Sequence, residues 1–294
     1  MIPNVVHYTK DGICYLAHPK IERVREVQLQ LAEEVKRICS KYDISYFIIW
    51  GTLLGAERNA GFIPWDDDFD IALFRDDYTK FIKVAPKEIA APFFLQTALT
   101  DRQYYFPYAR MRNSKTTGII VENYSADYNN GIFIDIYPLD AIPSCQMLRG
   151  IKFWLRDNFY WVCSNYYMSK SSGTSSIMSK VLARFFEYEF LCSCFDHICK
   201  IGNRIDGKVV GLAYHKVLAK TYKFTKKYAQ ETRELPFEGH SFAVPTGYKR
   251  ILAEVYGDYM KIPPKRKRGR WHEGQIIYDP DISYIDYIRG EKHE

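Results

Sequence analysis

The sequence predicts a mixed α/β (α+β) fold, a mixed-sheet core interrupted by a helical insertion. Three observations carry that prediction. Short apolar, β-branched and aromatic runs at 44–50, 68–74 and 131–137 read as buried strands, amphipathic segments precede and separate them, and from about residue 144 to 235 the pattern turns into long helical stretches. At 294 residues, 47% hydrophobic and 16% aromatic, the chain can bury a sizeable core as one large domain or a domain with an insertion, which excludes a disordered tail or a short module.

The first helix is expected over 21–41, "IERVREVQLQLAEEVKRICSK", where Ile21, Val24, Leu31, Val35 and Ile38 share a face opposite Glu, Lys and Arg. "ISYFIIW" (44–50) follows as a strand, and Gly51 with Thr52 turns the chain into "LLGAER". After the strand at 68–74 comes a helix, "RDDYTKFIKVAPKEIA", that Pro86 kinks or ends. "APFFLQT", "YFPYARMRN" and "GIFIDIY" (131–137) supply further strands. The expected organisation is a catalytic core over 1–143, a mainly helical insertion over 144–235 and a C-terminal segment, 236–294, returning to the core. The insertion contains the polar loop "SKSSGTSS" (169–176); the last segment contains the strand "FEGHSFAVP" and the helix "GYKRILAEVYG". No internal repeat is visible.

The formal charge of +6 is spread over many residues and points to an anionic partner without saying which. "KRKR" (265–268), four charges in a Pro-broken loop, does not raise a nucleic-acid partner above that background. "MIPNVVHYTKDG" lacks the regions of a signal peptide and no run of about 18 uncharged apolar residues exists, so the expected location is cytoplasmic. Seven scattered cysteines with no CxxC pair agree with a reduced compartment. Cys192, Cys194, His197 and Cys199 cluster in "FLCSCFDHICK", but their spacing fits an amphipathic helix with cysteine as a small hydrophobe better than a zinc site.

The chemistry concentrates in "GFIPWDDDFDIALF" (61–74). Alternation turns Asp68 and Asp70 to one side of a strand and Phe69 and Ile71 to the other, with Asp66 on the aspartate side if the extended geometry begins early. Carboxylates about 4 Å apart repel by roughly 4 kcal/mol per pair at an effective dielectric near 20, so a solvated acidic turn is a poor account and a divalent cation a better one. An EF-hand fails, because Ile71 and Asp77 stand where its glycine and glutamate belong. Oxygen-only ligands at a strand end favour Mg²⁺ or Mn²⁺ shared with substrate phosphates. Asp135 in "GIFIDIYPLD" is either a surface aspartate on an edge strand or a second carboxylate on the same cleft side, Ile134 and Ile136 facing the core. Gly51 and Thr52 read either as a backbone approach for a phosphate or as an ordinary tight turn.

Taken together, "IIWGTLLGAERNAGFIPWDDDFDIALFRDDYTKF", "YARMRNSKTTG", "FIDIYPLDAIP" and "FEGHSFAVPTGYKRILAEVYGDYMKIPPKRKRGRWH" closely resemble the LicD family of phosphotransferases, related to fukutin and fukutin-related protein, over roughly 21–143 and 236–272. The resemblance implies a nucleotidyltransferase-like fold and transfer of a phospho-alcohol from a CDP-activated donor to a glycan. It implies metal ligation by Asp68, Asp70 and Asp135, with Asp66 as a further ligand or a supporting group, and a nucleotide-phosphate turn at Gly51 and Thr52. Arg58 and Arg112 match family arginines, each either a phosphate clamp or a surface ion pair. Trp271-His272 stands where the family often has paired histidines, which makes His272 a donor-phosphate candidate.

The expected reaction moves phosphocholine, or a related phospho-alcohol, from CDP-choline to a hydroxyl of a cell-surface glycan precursor and releases CMP. If choline is the cargo, its quaternary ammonium needs an aromatic enclosure, for which "YFPY" and "FYWVCSNYY" are candidates. A lipid-linked acceptor leaves peripheral membrane association open. Two rivals stand beside this reading: a metal-dependent glycosyltransferase using an Asp-x-Asp motif with a nucleotide sugar, and a non-enzymatic basic adaptor for glycan or membrane.

Overall fold

The structure, a computed structural model, describes residues 9–10, 13–14, 20–121, 128–166, 177–205, 207–214, 218–264 and 276–290. It opens on a minimal antiparallel pair, β1 (Thr9–Lys10) and β2 (Ile13–Cys14). α1 (Ile21–Lys41) forms over the predicted span, and its buried Val24, Leu31, Val35 and Ile38 lie on the face that the 3.6-residue spacing selects. β3 (Phe47–Ile48) is shorter than the apolar run suggests, because α2 (Trp50–Asn59) already begins at Trp50. Gly51 and Thr52 therefore sit in the first turn of a helix. β4 (Asp70–Phe74) and α3 (Arg75–Glu88) follow, with Pro86 inside the last turn of α3.

β5 (Phe93–Gln96), β6 (Ala109–Asn113), β7 (Thr117–Ile120) and β8 (Ile132–Ala141) complete the first half. All ten residues of β8 are buried, as befits a strand covered on both faces. It is the spine of a seven-stranded mixed sheet: parallel to β4, antiparallel to β6 over its first half, and antiparallel at its far end to β9 (Val209–Gly211). β3 lies outside β4, β5 outside β6, and β10 (Lys223–Thr225) outside β9.

α4 (Gln146–Ser164), α5 (Ile177–Phe185) and α6 (Tyr188–Cys199) form the helical part, followed by the short α7 (Leu218–Thr221). The stretch 144–235 is not helical throughout, since β9 and β10 return from it to the central sheet; the polar loop 169–176 lies outside the described residues. Cys192 and Cys199 are buried on α6, as the amphipathic-helix reading requires.

A buried polar node docks these helices. Arg75 donates from Nε to Asp140 Oδ1 at 2.8 Å, from Nη2 to Asp140 Oδ2 and from Nη1 to Asp196 Oδ1 at 2.8 Å. Asn203 donates to Asp140 Oδ1 at 2.7 Å and accepts the Ala141 N–H at 2.6 Å. Lys152, fully buried on α4, spends its ammonium on three carbonyls: Ala141 and Cys199 at 2.7 Å and Ile201 at 2.9 Å.

The run "FEGHSFAVP" is a turn as well as a strand. β11 (Thr232–Phe237) and β12 (His240–Pro245) pair as a hairpin whose turn residues, Glu238 and Gly239, both adopt positive φ (49° and 78°). Two consecutive left-handed residues fit a two-residue hairpin turn. Phe237 and Phe242 pack edge to face against Phe69, fixing the core side of the acidic stretch. α8 (Tyr248–Tyr256) follows; β13 (Ile276–Asp279) pairs with β7, and α9 (Tyr284–Gly290) ends the described chain. Among the described residues no helix is long and apolar enough to cross a membrane.

Candidate active site

Strand register builds the site. The parallel pairing of β4 with β8 sets Asp70 opposite Asp135, and the antiparallel pairing of β6 with β8 sets Arg110 opposite Asp135 on its other side. Side chains at paired positions share a face, so the three form one row. Phe69 and Ile71, one step out of phase, are fully buried. At the β4 end of the row stands the start of α2: Ile49 N–H donates to Asp70 O at 3.1 Å, and Thr52 Oγ1 accepts Asp70 N–H at 2.8 Å. The row thus runs from a helix N-terminus, electropositive by its backbone dipole, through two carboxylates to a guanidinium.

The two carboxylates differ. Asp135 accepts from Arg110 Nε at 2.7 Å on Oδ1 and from Tyr137 OH at 3.0 Å on Oδ2, while Arg110 also donates to Tyr108 OH at 3.0 Å. Asp70 is 6% exposed, and its Oδ1 is buried with no hydrogen-bond partner. Burial, and after it the charges of Asp68, Asp135 and Asp66, push the Asp70 carboxyl well above the usual range.

The row floors a cleft of about 650 Å³, whose lining includes Gly51, Arg58, Asp66, Asp67 and Asp68 as well as Asp70, Arg110 and Asp135. A Cβ on Gly51 would lie 2.7 Å from Asp66 Oδ2, so the Asp66 carboxylate reaches the first turn of α2 in this position because residue 51 has no side chain. One aromatic wall is a cluster of touching rings, Phe106, Tyr108, Tyr137 and Tyr214; another sets Trp50 against Tyr222, with Tyr256 near it; Tyr160 and Tyr259 also line the cleft.

The acidic loop is held chiefly by its backbone. Arg25 Nη2 donates to Ile63 O at 3.1 Å and Asp66 O at 2.9 Å, and Gln28 Nε2 donates to Asp67 O at 2.7 Å. From the C-terminal hairpin, Glu238 N–H donates to Ala60 O at 2.8 Å and Glu238 Oε1 accepts Phe62 N–H at 3.0 Å.

Of the residues singled out in the sequence, Gly51, Arg58, Asp66, Asp68, Asp70 and Asp135 all line the cleft. Thr52 lies beneath it, bound to the backbone of Asp70. Arg112 is not in the lining: it donates from Nε to Gln96 Oε1 and from Nη1 to Gly131 O, both at 2.6 Å, and stacks 4.6 Å from the Phe133 ring centroid. Burial, with the Arg110 charge second, lowers its pKa to about 10, the signature of a guanidinium placed inside the fold. His272 and the run 265–268 lie outside the described residues. Sequence reasoning missed Arg110. Period-two spacing puts Arg110 and Arg112 on one face of β6, and only the register against β8 decides which reaches the carboxylates.

Among the described residues no three carboxylate, histidine or cysteine side chains close into a ready-made metal cage. An orphaned, buried Asp70 oxygen beside further carboxylates in an open cleft does fit an ion such as Mg²⁺ or Mn²⁺, which takes one or two protein carboxylates and completes its shell with water and substrate phosphates.

A family model described as "LicD/FKTN/FKRP, nucleotidyltransferase domain" matches residues 43–168, the segment that contains Asp66 to Asp70, Arg110 and Asp135. The chain is similar to the lipopolysaccharide cholinephosphotransferase LicD of Haemophilus influenzae, 30% identical over 263 residues, which are 84% of this chain and 93% of that protein. Shorter similarities reach uncharacterized proteins of Rickettsia typhi and Rickettsia prowazekii, 41% and 40% identical over 58 residues, 20% of this chain and 19% and 22% of those proteins.

Proposed function

The chain belongs to the LicD family, and from that premise we propose that it transfers phosphocholine from CDP-choline to a hydroxyl of a lipopolysaccharide-type glycan, releasing CMP. The observation that carries the reading is the row of Asp70 and Asp135 between the α2 N-terminus and Arg110, at the floor of an aromatic cleft. Positioning and charge neutralisation do most of the work in phosphoryl-type transfer, and the row supplies both.

In this mechanism the acceptor oxygen attacks the phosphorus that bears choline, a new P–O bond forms, and the bond from that phosphorus to the bridging oxygen breaks. CMP departs with the electron pair. The hydroxyl proton passes to one of the cleft carboxylates. Arg110 and the first turn of α2 face the transferred phosphate from the two ends of the row, and Arg58, in the last turn of α2, contacts the nucleotide phosphate. Asp68, Asp70 and Asp135, with Asp66 as a further ligand or supporting group, would hold a divalent ion such as Mg²⁺ or Mn²⁺, which would supply further charge neutralisation. The reaction takes place in the cytoplasm, with a lipid-linked acceptor presented at the membrane surface.

The test offers purified protein CDP-choline, CDP-ethanolamine, other CDP-alcohols and several nucleotide sugars, with Mg²⁺ or Mn²⁺ and a glycan extract from its source. Expected are CMP release and a glycan mass gain of one phosphocholine. Nucleoside diphosphate release from a nucleotide sugar, with a hexose-sized gain, overturns the reading.

A further inference from the structure

The two aromatic walls of the cleft differ in what already covers them. On one, the Arg110 guanidinium, paired with Asp135, already lies over the rings: 5.3 Å from the centroid of Phe106 and 5.5 Å from that of Tyr108, with Phe133 at 4.3 Å. Those faces are taken by a guanidinium, whose N–H groups suit a phosphate. On the other wall no described lysine or arginine stacks on Trp50, Tyr222 or Tyr256. Trp50, Tyr222 and Tyr256 thus line the cleft without a resident guanidinium.

We propose that the quaternary ammonium of the transferred head group binds the wall made by Trp50, Tyr222 and Tyr256, while the Arg110 wall faces the phosphates. The inference rests on the reading of CDP-choline as donor and deepens it by naming the head-group subsite. A trimethylammonium has no N–H to donate, so ring faces are what recognise it. Trp50 and Tyr222 meet edge to face, centroids 4.9 Å apart and planes at 68°, which makes a corner instead of a closed stack. Trp50 also holds φ at +52°, a left-handed conformation that bulky residues rarely adopt, at the first residue of α2. Backbone strain of this kind gathers at ligand sites, and here it sets the ring that forms one side of the corner.

The test measures kcat/KM for CDP-choline, for its uncharged isostere carrying a 3,3-dimethylbutyl group, and for CDP-ethanolamine. The proteins are wild type, Tyr222→Leu, Tyr222→Phe and Trp50→Leu. Wild type should prefer CDP-choline over the isostere by about 10-fold or more. Tyr222→Leu should erase that preference with CMP affinity unchanged, Trp50→Leu should erase it as well, and Tyr222→Phe, which keeps the ring face, should retain it. Equal use of choline and isostere by wild type overturns the subsite whatever the variants' folding, as does a preference unmoved in Tyr222→Leu; both leave the phosphotransferase reading standing. Failure of wild type to release CMP from CDP-choline overturns the two together.

Discussion

Strand β8 carries two buried aspartates on opposite faces, Asp135 over the cleft and Asp140 over the helical node, and their surroundings differ in one respect. At the node, Asp140 and Asp196 meet Arg75, Lys200 and the nearby Lys152, and the Asp140 oxygens accept three donors. Both carboxylates have cationic partners. In the cleft, among the described lining residues, Asp66, Asp67, Asp68, Asp70, Asp135 and Asp258 face Arg58, Arg110 and Lys261, and the buried Asp70 Oδ1 has no hydrogen-bond partner. A buried carboxylate oxygen is left unmet. A satisfied buried cluster holds parts together; an unsatisfied one is completed by something that binds.

Substitutions on the two faces should therefore separate stability from activity. Asp140→Ala, which strands Arg75 in the interior, should cost about 3–5 kcal/mol, read as a lower denaturant midpoint, with transfer per folded molecule retained. Asp70→Asn should lower CMP release about 100-fold, roughly 2.7 kcal/mol of barrier, while its melting temperature stays level or rises as repulsion is relieved. A matched loss of stability in Asp70→Asn would dissolve the contrast.

Lys152→Met should cost about 2 kcal/mol, since it removes the donor shared by three buried carbonyls. Burial lowers the Lys152 pKa from 10.5 to about 8. Between those values the unfolded chain holds more protons than the folded one, so this group's contribution to stability rises with pH and levels off beyond the upper value. Wild type should gain on Lys152→Met across that window in paired urea melts. The smallest effect is expected at Thr52→Val, which leaves Asp70 N–H without its acceptor: about 1 kcal/mol of stability, and a loss of activity that Thr52→Ser does not share.

Much of the cleft floor was legible, because a period of two is a strong constraint. Once Phe69 and Ile71 belong to the core, Asp68 and Asp70 must face away from it, and the same holds for Asp135 between Ile134 and Ile136. What pairs with what was not. Arg110 and Arg112 have the same parity on β6, and their separation into a cleft residue and an interior one is made by register with β8 and by Gln96 on β5. The pairing of β7 with β13 joins short strands far apart in the chain, a contact no local pattern announces. The hairpin turn at Glu238-Gly239 did carry a local signal, a glycine after a polar residue between two strand-like runs, but the run was read as one strand.

The grip of Glu238 on Ala60 and Phe62 bears on when the cleft is finished during synthesis. All the aspartates of the row and loop are in the first half of the chain, yet the clamp on the acidic loop and the Tyr222 and Tyr256 wall are made by residues that leave the ribosome much later. Because domains assemble as chain emerges, a nascent chain stopped before residue 238 bears every carboxylate of that floor without the fastening that presents it. The order of translation thus leaves the acidic loop to its Arg25 and Gln28 bonds until the hairpin that grips Ala60 and Phe62 has emerged.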